Sequence, residues 1–284
     1  FDAENPGYAS WPDKAQRLER DALELGLRIH LALGRAAMTE AEPDAGATAA
    51  SFREALRLAV ALGQREETGE RVVLAVLGRV KVLAEKDDLT PAIALVEATR
   101  EACGETPAEP EPWEQLTGQL AELLARRGTR AGNERRWDDA IADLRRAVAL
   151  NPYAAAPLVS LGFALQSRAH QLRKTAPGQA IELALEAVRH LQAGLADGAG
   201  EPEIREALQE AREGARSLLL QRAGELAAAS GFDQSLQVLE QGLAVLAGDL
   251  VLGNHHREIV RRYARFLEER GQPERAVAVL RRLK

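Results

Sequence analysis

The chain has 284 residues, of which 46% are hydrophobic, 28% charged and only 4% aromatic, and its net charge is −6. A chain of this length and composition can bury a sizeable core and fold as a globular protein. The net negative charge argues against a nucleic-acid partner, because affinity for phosphates needs clustered lysines and arginines. The apolar residues are mainly Leu, Ala and Val, so helices are favoured over strands.

The sequence also predicts the compartment. A single cysteine, Cys103, excludes an intramolecular disulfide, and a reducing compartment is the default for such a chain. No apolar run approaches the roughly 20 residues that a membrane span needs, and no signal peptide opens the chain. We therefore expect a cytoplasmic protein without a membrane partner. The only methionine is Met38 and the chain begins at Phe1, which indicates a processed product or a piece of a longer protein.

The first elements are an extended segment and a long helix. Residues 1–12 predict an extended lead-in, because Asn5-Pro6-Gly7 and Trp11-Pro12 restrict the backbone and favour turns. A helix capped by Asp13 follows, and its apolar positions recur at helical spacing: Leu18, Leu25, Ile29 and Leu33. The stretch 42–46, Glu-Pro-Asp-Ala-Gly, ends this helix.

One apolar pattern then recurs along the chain. Its best copy has apolar residues at i, i+1, i+4, i+7 and i+8, which form one stripe on a helix predicted over about 138–150. Asp138-Asp139 suits the start of this helix, and Asn151-Pro152 ends it. The four best copies begin at Ala92, Ala140, Ala187 and Ser235, at offsets of 48, 47 and 48 residues. A second predicted helix, over about 232–246, carries the last of them.

Each stripe is preceded by another apolar-periodic segment, so the repeating unit is a helix hairpin. Residues Ile204 to Leu226 predict one first helix of about 30 residues, roughly 45 Å long. One register stays open, because Ala180-Ile181 and Ala184 offer an alternative start for the stripe near Ala187. About six antiparallel hairpins, or twelve helices, are predicted in a single domain over 13–284: residues 13–64, 67–104, 111–151, 154–197, 201–247 and 252–284.

Several residues resemble the tetratricopeptide repeat (TPR) family. They are Leu161-Gly162 in a first helix, Ala140 and Ala147 in a second, and Asn151-Pro152 after it. Gly231-Phe232-Asp233 and the segment 271–276 are similar to the turn that joins the two helices. The resemblance implies an all-α, right-handed α-solenoid. The family repeats every 34 residues, whereas this chain repeats every 47 or 48, so we expect longer first helices or longer loops.

No catalytic or metal-binding constellation is found. His255-His256 has no third ligand nearby in sequence and is interpreted as part of a loop or a helix start. Cys103 has no recognisable histidine partner, and the paired aspartates at 87–88 and 138–139 suit helix N-termini. The glycines at 194, 198 and 200 lack the strand and lysine of a phosphate loop. We predict no metal, no cofactor and no enzymatic activity.

The candidate binding residues are mostly polar. Residues 255–284 contain nine Lys or Arg against four Asp or Glu, a local net charge of +5. The rest of the chain therefore has a net charge of −11. Arg257, Arg261 and Arg265 share one face of a first helix, which either meets an acidic partner or is a solvated face balanced by nearby acids. In the TPR family, first helices line the concave binding surface, and the resemblance therefore also nominates Arg126, Asn133, Phe163, Gln166 and Ser167.

The preferred function is a scaffold that binds a peptide or protein segment on its concave surface. The alternative is a regulatory module of a larger enzyme or signalling protein whose catalytic domain lies outside this chain. RNA binding is disfavoured by the charge and by the lack of regularly placed aromatics. The oligomeric state stays open. We also predict tight helix contacts at Gly128, Ala140, Ala147 and Gly162.

Overall fold

The computed structural model describes residues 11–40, 42–103, 111–196 and 201–283, and within these ranges it contains helices and turns but no strand. The described part of the chain is therefore all-α, as predicted. The helices of the described chain are α1 Trp11–Thr39, α2 Ala45–Leu62, α3 Arg65–Glu85, α4 Leu89–Cys103, α5 Glu111–Asn133, α6 Trp137–Leu150, α7 Ala155–Leu172, α8 Pro177–Ala196, α9 Glu201–Ala228, α10 Phe232–Val245, α11 Leu250–Glu269 and α12 Pro273–Leu280, followed by a 3-10 turn at Arg281–Leu283.

Most helix boundaries agree with the sequence patterns. Helices α6 and α10 match their predicted ranges to within a residue, and α9 has 28 residues. Helix α1 begins at Trp11, inside the predicted lead-in, so that prediction is wrong for Trp11 and Pro12; proline is tolerated in the first turn of a helix. The rest of the lead-in, residues 1–10, lies outside the described residues. His255-His256 lies in the second turn of α11.

The chain divides into two compact units, residues 1–127 and 128–284, and the boundary falls inside α5. In unit 1, α1 packs along α2, and α2 packs on both α3 and α4. The core of this unit contains side chains with no exposed surface, among them Phe52, Val72, Val76 and Leu95. On α3, for example, the buried residues Val72, Val76 and Val80 lie one turn apart, so this helix turns one apolar stripe inward.

In unit 2, each helix from α6 to α12 packs on the next one in the chain. Contacts also join α7 to α9, α9 to α11, and α8 to α10. The first helices α7, α9 and α11 therefore contact one another in succession, and the second helices α8 and α10 also contact each other, which gives this unit two layers. One continuous apolar core runs between the layers from Ala131 to Val279. Such stacking of hairpins is the arrangement of a helical-repeat protein.

The hairpins are less regular than the stripes suggest. The second helices begin at Ala45, Leu89, Trp137, Pro177, Phe232 and Pro273, at intervals of 44, 48, 40, 55 and 41 residues. The predicted spacing of 47 or 48 residues is therefore wrong for the helices after α6. The reason is that α8 carries two copies of the stripe: Ala180 occupies the position that Ala140 has in α6, and Ala187 lies two turns later on the same buried face.

The predicted close helix contacts are confirmed. Ala140 and Ala147 have no exposed surface, and Gly128 and Gly162 are buried. A Cβ on Gly128 would lie 2.8 Å from Leu144 Cγ and 3.2 Å from the carbonyl oxygen of Ala140, and a Cβ on Gly162 would lie 2.9 Å from Leu191 Cδ1. Only glycine lets the paired helices approach this closely.

Candidate functional site

A groove of about 510 Å³ lies on the first-helix layer of unit 2. Three successive first helices, α5, α7 and α9, supply all but one of its lining residues, and Leu144 of α6 supplies the other. The residues that line it are Gly128, Thr129, Gly132, Asn133, Leu144, Val159, Ser160, Phe163, Gln166, Ser167, His170, Ala207 and Glu210. A volume of this size is typical of small-molecule and peptide pockets.

Helix α7 forms the centre of the groove because its two faces differ. Leu158, Leu161 and Leu165 are buried against neighbouring helices. The opposite face places Ser160 and Phe163 one turn apart and toward the groove. The helix is thus fixed from behind by packing, and its polar face is free to meet a ligand.

Phe163 is the largest apolar surface in the groove. Its side chain is 63% exposed, although a phenylalanine inside a helix-packing protein is usually buried. The ring is held edge-on to Trp137, with centroids 5.9 Å apart and an interplanar angle of 68°. This edge-to-face contact is a favoured aromatic geometry, so the exposed ring has a defined orientation.

The groove also contains two side-chain amides. Neither Asn133 nor Gln166 forms a hydrogen bond with another described residue, and both line the groove. A side-chain amide offers donors and an acceptor, the set that pairs with a peptide backbone. Glu210 is the one carboxylate in the described lining, and His170 stands on the α7 side. The groove therefore combines one aromatic contact with several neutral hydrogen-bonding groups.

The predicted site residues separate into three groups. Four of the eight, Asn133, Phe163, Gln166 and Ser167, come together in the groove. Arg126 lies outside it, in unit 1, where its guanidinium donates to the carbonyl oxygen of Ala84 at 3.1 Å and lies 3.7 Å from Asp87. That arginine neutralises the carboxyl end of α3, which carries a partial negative charge.

The three predicted arginines of α11, Arg257, Arg261 and Arg265, form the third group, and all three are exposed. Arg257 is engaged locally, because it donates to the carbonyl oxygen of Gly253 and to the side-chain oxygen of Asn254. Arg261 and Arg265 have no hydrogen bond or ion pair with any described residue. These two guanidinium groups are therefore available to a partner.

A second, smaller cavity of about 360 Å³ lies at the ends of the last two hairpins. Phe232 stacks on Tyr263, with ring centroids 5.1 Å apart, and the Tyr263 hydroxyl donates to Asp233 at 2.7 Å. Burial raises the pKa of Tyr263 above its usual value, and the hydrogen bond to Asp233 raises it further. Arg270 lies over Phe266, 4.4 Å from the ring centroid. The main polar groups here satisfy one another, which indicates a structural joint.

The described residues include no cluster of three or more His, Cys, Asp or Glu side chains that could hold a metal ion. None of the described helices is long and apolar enough to cross a membrane.

Comparisons with known proteins add little to this geometry. No protein-family model matches the chain, and no curated protein sequence matches it. Among solved structures, the chain is similar to the crystal structure of the P58(IPK) TPR domain, with 12% sequence identity and a TM-score of 0.22. The alignment covers 90% of this chain and 82% of that chain. A similarity at this level transfers no binding residue, so the groove is interpreted from its own contacts.

Sequence reasoning missed several residues of the groove, including Thr129, Ser160, His170 and Glu210. The signal was present, because Ser160, Phe163, Ser167 and His170 follow one another at steps of three, four and three residues and so share one face of a helix. A polar helix face that contains one phenylalanine is a pattern worth noting in a repeat protein.

Proposed function

We propose that this protein binds a peptide segment of another protein in the groove formed by α5, α7 and α9. The observation that carries the proposal is the exposed ring of Phe163, held edge-on to Trp137 in a groove that the unengaged amides of Asn133 and Gln166 also line. An exposed aromatic in a concave, partly polar site is typical of a binding surface.

The lining predicts how such a peptide is held. An apolar side chain of the peptide packs on Phe163, and its backbone N–H and C=O groups pair with Asn133 and Gln166. Ser160 and Ser167 supply further hydrogen bonds along the same helix face. Because most of these groups are neutral, we expect binding in the groove to depend weakly on salt.

The groove is tested with Phe163→Ala. Peptides that bind the wild-type protein are first selected from a displayed random library, and their affinities are then measured by calorimetry. Loss of a central aromatic contact should weaken binding about tenfold or more. Tyr153→Ala is the matched control, since Tyr153 is 68% exposed and lies outside the groove. Equal affinities of the two variants for the selected peptides would refute the groove as the binding site.

We further propose that Arg261 and Arg265 contact acidic residues of the same or another partner. Both are exposed and unengaged, and arginine pairs with carboxylates in a bidentate manner. Exposed single pairs contribute below about 1 kcal/mol, so both arginines must act together.

The test is the double variant Arg261→Glu with Arg265→Glu, assayed with a fluorescent poly-glutamate peptide. Binding by the wild-type protein should fall as salt rises and should be lost in the variant. The control, Arg173→Glu with Arg189→Glu, makes the same change in net charge at two other exposed positions. If both double variants lose binding equally, the effect is one of net charge, and the α11 face has no specific role.

A further inference from the structure

The groove in unit 2 contains a single free negative charge. With His170 counted as neutral, Glu210 is the only ionised side chain among the described residues that line the groove. Its carboxylate is exposed and forms no hydrogen bond or ion pair with any described residue. A carboxylate accepts hydrogen bonds and donates none, so the partner that it lacks is a cation or another hydrogen-bond donor.

Glu210 of α9 lies across the groove from Phe163 of α7. Consecutive helices from α5 to α9 are separated by three or four residues and pack on each other, so they alternate in direction, and α5, α7 and α9 run the same way. A Cβ on Gly214 would lie 2.9 Å from Gln166 Oε1, so these two residues face each other. Glu210 precedes Gly214 by four residues. Phe163 precedes Gln166 by three, so Phe163 and Glu210 lie within about one helical turn of the same level.

Among the described residues, the charges around Glu210 do not neutralise it. Glu203 and Glu206 precede it by seven and four residues, so they lie on the same side of α9 and are negative as well. Arg212 follows it by two residues, which places this arginine on the opposite side of the helix. Several further arginines of unit 2 already interact within the chain: Arg130, Arg136, Arg168, Arg205 and Arg216.

The cations without a described partner near the groove stand at one end of it: Arg135, Arg173 and Lys174. They belong to the turns after α5 and α7, and these turns lie at the same end because the two helices run the same way. The turn after α7 begins ten residues beyond Phe163, or about 15 Å along the helix. Exposed charges that far apart are largely screened at physiological ionic strength. The surface beside Phe163 and Glu210 is therefore negative.

We propose that the groove selects a peptide segment in which a lysine or arginine lies two positions from an apolar residue. This specificity rests on the proposed function of the groove, and it names the kind of peptide that binds there. The apolar side chain packs on Phe163, and the cation pairs with Glu210. The axes of packed helices are about 8 to 10 Å apart, and two residues of an extended chain, with side chains on the same side, span about 7 Å. The long side chain of lysine or arginine covers the remaining distance.

The first test repeats the selection of displayed random peptides with the wild-type protein and with Glu210→Lys. Peptides selected by the wild-type protein should be enriched in Lys and Arg two positions from an apolar residue. Glu210→Lys should enrich Asp and Glu at that position instead, because like charges repel. The control is Glu182→Lys, which makes the same change in charge at an exposed position of α8 and should keep the wild-type preference.

The second test measures the ion pair itself by calorimetry. A selected peptide is compared with a copy in which its basic residue is replaced by glutamine. The wild-type protein should bind the glutamine copy about threefold to fivefold more weakly, as is typical of a partly exposed ion pair, whereas Glu210→Gln should bind both peptides equally. Because Glu210 is exposed and has no partner among the described residues, Glu210→Gln should keep the wild-type Tm. The same loss on both proteins would overturn the pairing with Glu210.

The outcome for Phe163→Ala separates this specificity from the function on which it rests. If that variant loses binding while the selected peptides show no preference for Lys or Arg, the groove binds peptides but the proposed specificity is wrong. Enrichment of Asp and Glu by the wild-type protein would also overturn it, and would assign the selection to Arg135, Arg173 and Lys174. If the selected peptides bind Phe163→Ala as tightly as the wild-type protein, the proposed function itself fails.

Discussion

The first and second helices of unit 2 use their residues differently. In α6, a second helix, the stripe from Ala140 to Val148 is buried throughout and is built around alanines with no exposed surface. In α7, a first helix, one face is just as buried, while the other leaves Phe163 63% exposed. Stability and binding are therefore assigned to different surfaces, and changes on the two surfaces should have separable effects.

The largest effect on stability is expected from Ala140→Leu. The added side chain has no space between α5 and α6, so it should lower the free energy of unfolding by about 1 to 3 kcal/mol through overpacking. Urea denaturation of the whole chain measures this loss. Ala142→Leu on the exposed side of the same helix is the control and should change stability little. Equal stabilities of the two variants would mean that the stripe does not hold the second-helix layer in place.

A smaller effect, with opposite signs at two glycines of α5, sharpens the comparison. Gly128→Ala forces a Cβ to within 2.8 Å of Leu144 and 3.2 Å of a backbone oxygen, so we expect a loss of about 1 to 2 kcal/mol. Gly118→Ala meets nothing within 4 Å and should instead stabilise the helix by about 0.5 to 1 kcal/mol. Thermal melting of both variants tests the difference. Two shifts of the same sign would contradict the close approach of α5 and α6.

The smallest effect concerns the joint between the two layers, where Tyr263 of α11 donates to Asp233 of α10. Tyr263→Phe should cost about 1 kcal/mol at neutral pH. Because folding raises the pKa of Tyr263, this contribution is complete below the unfolded pKa, near 10, and is lost as the pH rises through the folded value. Denaturation across this range should show the two proteins converging in stability at high pH. The control Tyr153→Phe removes a hydroxyl from a side chain that is 68% exposed and should change stability little at neutral pH.

Much of the fold could be predicted because helix periodicity is a local property. The stripe of α6 follows from the spacing of its own residues and from the aspartates and proline at its ends. In α1 the same reasoning found a helix but not its buried face, because Leu18 and Leu25 are exposed while Leu27 and Leu31 are buried. A helix with apolar residues on both sides contains no local signal for which side the neighbouring helix covers.

The candidate site was less predictable, because it depends on contacts between distant residues. The resemblance to TPR repeats nominated Asn133 and Phe163, which meet in the groove across about 30 positions of sequence. It nominated Arg126 on the same grounds, yet that side chain turns to Ala84, 42 residues away. Periodicity gives the face of a helix on which a residue lies, but not the partner that the rest of the chain places there.

The two stripe copies in α8 raise a question of register during folding. Ala180 and Ala187 are two turns apart on one face, so α8 displaced by seven residues would still present apolar side chains to its neighbours. Gly194 discriminates between the native and the displaced alignment of α8. A Cβ at position 194 would lie 2.6 Å from Leu158 Cδ1, and a displacement that moves Ala187 to the place of Ala180 would put Glu201, which has a Cβ, in the place of Gly194. The close contact at Gly194 therefore disfavours a competing alignment that hydrophobicity alone would tolerate. Such discrimination favours a single native state.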